Sequence, residues 1–203
     1  MSDTISRILH EADLTPEQAY WRAYHGQRRS CPELEPIIIK SPLFASHYAL
    51  HVMGSRWPQA EDTIATDPHA AFDYASHVIK GLWKKGEPAI MSDPEFAYAY
   101  AMSILGHRWP EAEPHILKDP GAAFHYASNV LQQRWPEAEP IISKSQVAAL
   151  YAFEVLKQRW PDAEEAIAHG KHYVNQYLNA YPEARDDWLA LGWLKPLHKY
   201  ERR

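Results

Sequence analysis

The sequence predicts an all-α fold, an α-solenoid of about five stacked two-helix copies with helical caps. Three observations carry this. A tryptophan recurs at 57, 83, 109, 135 and 160, stepping by 26, 26, 26 and 25 residues. Helix-start dipeptides recur upstream of those tryptophans in a second fixed frame. Val and Thr together number only 10, which leaves strands poorly supported.

The copies are anchored by Arg56-Trp57-Pro58, Arg108-Trp109-Pro110, Arg134-Trp135-Pro136 and Arg159-Trp160-Pro161, with Leu82-Trp83-Lys84 as a degenerate member. An earlier faded member is Ser30-Cys31-Pro32, so Cys31 occupies a tryptophan slot. The upstream frame is Ser41-Pro42, Asp67-Pro68, Asp93-Pro94 and Asp119-Pro120, followed by Tyr-Ala pairs at 48/49, 74/75, 100/101, 126/127 and 151/152. Such periodicity marks a repeat array, because one short copy cannot bury its own apolar face and stacked copies share a core.

Each element follows in order. Ser or Asp before Pro is a helix N-terminus: the side-chain oxygen accepts an orphan N–H and proline has none to lose. From Pro42, the apolar positions Ala45, Tyr48, Ala49 and Val52 share one helical face. That helix is expected to stop near Trp57, since Pro58 disfavours helix in the residue before it. Pro58 then opens a shorter helix through Ala60, Glu61 and Ile64. The copies span 33–168, with 1–32 an N-terminal cap or degraded repeat and 169–203 an aromatic-rich helical closure around Tyr173, Tyr177, Tyr181, Trp188 and Trp193. No Gly-, Ser- or charge-rich linker interrupts the chain, which is expected to form one domain over 1–203.

Composition narrows the function classes. The 203 residues are 46% hydrophobic and 23% charged, the balance of a globular protein. A net charge of −5 disfavours nucleic acid and anionic membranes as partners. No apolar run is long enough to span a bilayer and the first ten residues lack a signal-peptide layout, so a cytoplasmic location is expected. One cysteine excludes an internal disulfide and a multi-thiolate zinc site. As its slot is a core slot, an inert buried thiol is expected there.

Residues filled alike in every copy are expected to serve stacking. Tyr48, Tyr74, Tyr100, Tyr126 and Tyr151 read as an interior ladder with hydroxyls bonded to neighbouring copies, and Trp57, Trp83, Trp109, Trp135 and Trp160 as plugs of the corner between helices. A stacking platform for nucleotide bases is the alternative for the aromatic row, disfavoured by the negative charge and the lack of a basic stripe. Arg56, Arg108, Arg134 and Arg159 stand five residues before Glu61, Glu113, Glu139 and Glu164, as expected of ion pairs across the corner.

The variable slots lie opposite the core. Slot 47 holds His47, Asp73, Ala99, His125 and Leu150; slot 51 holds His51, His77, Ser103, Asn129 and Glu154; slot 43 holds Leu43, His69, Glu95, Gly121 and Gln146. His47, His51, Asp73 and His77 at i, i+4 spacing on adjacent helices are candidate ligands for a divalent metal, with a solvated polar face or a pH-dependent interface as the competing readings. Ala99, Ser103, Gly106 and Gly121 leave room for a partner to approach closely. The partner-binding surface is therefore placed at His47, His51, Asp73, His77, Ala99, Ser103, Gly106, His125 and Asn129, in a trough towards Gln132, Gln133, Lys157 and Gln158. No phosphate loop, HExxH or GxSxG motif is present, and neither a catalytic residue nor a cofactor is assigned.

The blocks Asp119-Pro120, Tyr126-Ala127 and Arg134 to Pro140 resemble short helical repeats found in proteins of large tailed bacteriophages, whose function is unassigned. The resemblance covers roughly 32–168. It implies action inside a bacterial host, on a host protein. The expected function is a non-catalytic protein-binding scaffold or inhibitor, with metal or small-ligand binding at the His-rich patch as the alternative.

Overall fold

A computed structural model describes residues 14–26, 30–170 and 172–195. The parts of the two expected caps at 1–13, 27–29, Lys171 and 196–203 lie outside the described residues. Among the described residues every regular element is helical. Packing groups the chain into two compact units, Met1–His115 and Ile116–Arg203.

Within each unit the same motif recurs. A helix opens at Pro42–Tyr48, Pro68–Asp73, Pro94–Tyr100 or Pro120–His125, and its last turn widens to i→i+5 hydrogen bonding at Ala49–Met53, Tyr74–Ile79, Ala101–Leu105 or Tyr126–Leu131. Asp67 and Asp119 cap the helix starts, accepting from Ala70 and Ala122 N–H at 2.8 Å each. Asp93 accepts from the Glu95 and Phe96 N–H groups, whereas the Ser41 side chain makes no cap bond.

The long helix ends earlier than the proline rule predicts. It stops at a left-handed residue, Gly54, Lys80, Gly106, Gln132 or Lys157, each three positions before the tryptophan. A non-helical stretch follows and leads into the corner. Trp57 and Trp160, which precede proline, are held at φ/ψ of −120/81° and −126/83°, outside the helical region. A short helix closes each copy, as at Glu61–Ile64, Glu113–Ile116 and Glu139–Ile142.

The core of each unit is a set of residue ladders. Tyr48, Tyr74 and Tyr100 are fully buried in the first unit, as are Tyr126 and Tyr151 in the second. Trp57, Trp83 and Trp109, and in the second unit Trp135 and Trp160, are nearly so. The short helices add a third set, with Ile38, Ile64 and Ile90 in the first unit and Ile116 and Ile142 in the second. The alanines beside each tyrosine are buried as well, which lets neighbouring helices approach closely.

The repeat reaches beyond both expected ends. Thr15-Pro16 stands 26 residues before Ser41-Pro42 and opens the helix Pro16–His25 with a capping box between Thr15 and Gln18. Of the two readings of 1–32, its described part is therefore a degraded repeat, with Arg22 in the tyrosine slot and Ala23 buried in the alanine slot. Tyr177 stands 26 residues after Tyr151, is fully buried, and continues the tyrosine ladder into the segment expected to have lost the pattern. After it, Trp188 stacks on Tyr177 at 5.6 Å and donates its indole N–H to Glu164 Oε2 at 2.9 Å.

The one-residue deletion behind the 25-residue step lies between Ile142 and Tyr151. Ser145, Gln146 and Val147 replace the Asp-Pro start, and the α-helical part of that copy shrinks to Ala148–Tyr151.

Candidate functional site

The corner of each copy is built from four repeated residues. The tyrosine ring packs on the tryptophan of its own copy, with centroids 5.0 Å apart for Tyr48–Trp57, 4.9 Å for Tyr74–Trp83 and 5.3 Å for Tyr100–Trp109. Its hydroxyl reaches the preceding copy. Tyr74 accepts the Trp57 N–H at 2.7 Å and donates to Glu61 at 3.1 Å; Tyr100 does the same with Trp83 at 2.9 Å and Glu87 at 3.3 Å. In the second unit, Tyr151 latches Trp135 and Glu139, and Tyr177 latches Trp160 and Glu164. Tyr48 latches the Cys31 N–H at 2.6 Å and Glu35 at 3.1 Å, so Ser30-Cys31-Pro32 folds as a true corner.

Burial pushes the Tyr74 and Tyr151 hydroxyls up to about 12, with the facing glutamates adding to it and the tryptophan N–H opposing it. The glutamate of each corner is in turn gripped by arginine. Arg108 Nε and Nη2 meet the two Glu113 oxygens at 2.5 and 2.8 Å, Arg134 meets Glu139 at 2.6 and 2.8 Å, and Arg159 meets Glu164 at 2.5 and 2.9 Å. Arg56 places both nitrogens on Glu61 Oε1. The Arg134 hydrogen bonds hold the Glu139 carboxyl below the usual carboxylate range, against burial. In these corners tyrosine, tryptophan, arginine and glutamate thus hold one another.

Of the variable slots, only slot 51 is exposed in every copy; in slot 47 His47, Asp73, Ala99 and Leu150 are half-buried, and in slot 43 so are Leu43 and Gly121. In the first unit His51, His69, His77, Ser103 and Gly106 are exposed, and His47, Asp73 and Ala99 are half-buried. In the second unit His125, Asn129, Gln146 and Glu154 are exposed. Ser103 turns its hydroxyl back onto the Ala99 carbonyl at 2.6 Å, so it is occupied within its own helix. Gly106, expected to leave room for a partner, is the left-handed cap of its helix, at φ 69°. In the second unit a cleft of about 320 Å³ is lined by residues that include Ser128, Gln132, Gln133, Glu154 and Lys157, among them most of the expected end of the trough.

The four-residue metal set does not assemble. Asp73 sits between His69 and His47, with Oδ2 at 3.4 Å from His69 Nε2 and 4.0 Å from His47 Nε2. His77 instead places Nδ1 3.1 Å from the Asp73 backbone carbonyl, and the His51 ring is 5.9 Å from that of His47. Among the described residues no group of three or more His, Cys, Asp or Glu is placed to hold a metal ion. His47 and Asp73 lie in the α-helical part and His51 and His77 in the widened turn. Burial lowers the pKa of the His47 imidazole, outweighing the attraction of Asp73, with His51 and His69 acting in the same direction as burial.

Cys31 also departs from expectation. Its residue is only half-buried and is in no disulfide. Burial and the nearby Glu33 and Glu35 raise its pKa.

The largest departure is at the degenerate corner. Leu82 stands where the other corners carry arginine and Lys84 where they carry proline, and Leu82 is 60% exposed. A cleft of about 580 Å³ opens there, lined by residues that include the apolar Leu82, Met91, Leu105 and Trp109 and the charged Lys84, Glu87, Arg108 and Glu111. Gly86 takes the slot filled elsewhere by Ala60, Ala112 and Ala138, since a Cβ there would run into the Trp83 ring. The missing arginine is the sequence signal for this cleft.

No protein-family model, curated protein or solved structure matches the chain.

Proposed function

We propose that this chain is a helical-repeat binding protein that recognises a partner protein through the outward residues of successive copies, acting as a scaffold or inhibitor. One observation carries the reading. Within a copy the residues that recur, such as Tyr74, Ala75 and Trp83, are the buried ones, while the exposed slot 51 changes from His51 to His77, Ser103, Asn129 and Glu154. A constant frame with changing decoration is how solenoid repeats present a specific surface. The negative net charge favours a protein over a nucleic acid as that partner. Among the described residues no helix is long and apolar enough to cross a membrane.

The finer reading places the partner in a bacterial host, on the resemblance of the Arg-Trp-Pro-Glu-Ala-Glu blocks to phage repeats. The test is affinity capture from host lysate by the native chain and by a variant with His47, Asp73, Ala99 and His125 all replaced by Lys. A defined protein retained by the first and lost by the second is the expected result. Equal capture by both removes the outward slots from recognition.

A further inference from the structure

The repeat supplies its own controls for the corner at Leu82. In four other corners the carboxylate is gripped by an in-chain guanidinium. Glu61, Glu113, Glu139 and Glu164 are sequestered there to side-chain exposures of 8, 13, 14 and 4%. Glu87 is held alike, at 12%, with Tyr100 donating to its Oε1 at 3.3 Å. It lacks the guanidinium because residue 82 is leucine. Its cationic neighbour is Lys84, whose Nζ reaches Oε2 at 3.1 Å from a side chain that is 82% exposed.

We propose that this corner is a receptor for an arginine side chain presented by a protein partner, the incoming guanidinium taking on Glu87 the place that an in-chain arginine takes in the other corners. Three features fit that occupant. The carboxylate is already oriented by Tyr100 and shielded from water, so it gains more from a charged partner than a free surface carboxylate does. A planar fork suits a carboxylate better than the point charge of Lys84, which can swing aside into solvent. The cleft beside it offers Leu82, Met91 and Leu105 as an apolar track for the arginine stem; of the other charged residues that line it, Glu111 adds negative charge and Arg108 is already paired with Glu113.

The source of the arginine rests on the protein-binding reading, but the site is tested on the isolated chain, so the two fail separately. The experiment is an NMR titration of the full chain with N-acetyl-arginine amide and with N-acetyl-lysine amide, following the backbone and indole signals of Trp83 and Trp109. Saturable shifts with the arginine compound, at least tenfold weaker for the lysine compound, are expected. Leu82→Arg fills the site from within; it should abolish the response and raise Tm by about 2 °C. Glu87→Gln should abolish the response without the gain in Tm. Absence of saturable shifts overturns the proposal, as does an equal response to lysine or a response that survives in Leu82→Arg.

Discussion

Tyr74 donates its hydroxyl to Glu61 at 3.1 Å from one repeat to the one before, and the same oxygen accepts the Trp57 backbone N–H at 2.7 Å. The bond pair is buried, so it ties two copies together while satisfying a main-chain donor that proline at 58 leaves outside any helix. Tyr74→Phe strands both partners. It should cost about 1–3 kcal/mol, read as a lower urea midpoint, with the ring packing on Trp83 retained.

The left-handed caps make a graded series. Gly54 has open space where a Cβ would stand, so Gly54→Ala meets only backbone strain and should lose about 1 kcal/mol. Lys80 and Gln132 already carry that strain at φ 57° and 51°. Lys80→Gly and Gln132→Gly should each gain about 0.5 kcal/mol, the relief of strain exceeding the added freedom of the unfolded chain. Thermal melting of the three variants checks the order.

Helix starts should respond according to the bonds they make. Asp119→Ala removes the acceptor of the Ala122 N–H and should cost about 1 kcal/mol. Ser41→Ala removes no cap bond and should leave the midpoint unchanged. Equal losses in both would contradict this assignment.

High pH should loosen the stack before it affects isolated helices. Tyr74 and Tyr151 titrate near 12 in the fold, against about 10 for an exposed tyrosine. The folded chain therefore holds protons that the unfolded chain has released. Stability from these groups is complete below pH 10 and falls as pH rises from about 10 to 12. Ultraviolet titration should show exposed tyrosines ionising first and the ladder only with unfolding.

The ladder was legible because its chemistry repeats letter for letter: a tryptophan, its preceding arginine and the glutamate five residues on recur together, and they meet as ion pair and plug. Three things were not legible. The i→i+5 turn that follows Tyr48 leaves no mark in apolar spacing, because Ala45, Tyr48, Ala49 and Val52 are buried with it in place. The caps at Lys80, Gln132 and Lys157 lack the glycine that signals a left-handed residue, so the proline downstream drew the predicted helix end three residues too far. Tyr177 was masked by the surrounding aromatics, although its spacing from Tyr151 is one full repeat. The Glu87 cleft is written as an absence, a leucine in an arginine slot, which becomes meaningful once the other corners show what the arginine grips.

The central claim is that repeated residues hold the stack and variable outward ones do the recognising. Its most direct test measures Tm and partner capture together for Tyr151→Phe and for the variant carrying Lys at 47, 73, 99 and 125. The account predicts that Tyr151→Phe melts lower yet keeps the partner below its Tm, while the lysine variant keeps its Tm within about 2 °C and loses the partner. A lysine variant that retains the partner, or that loses it only by unfolding, would contradict the account.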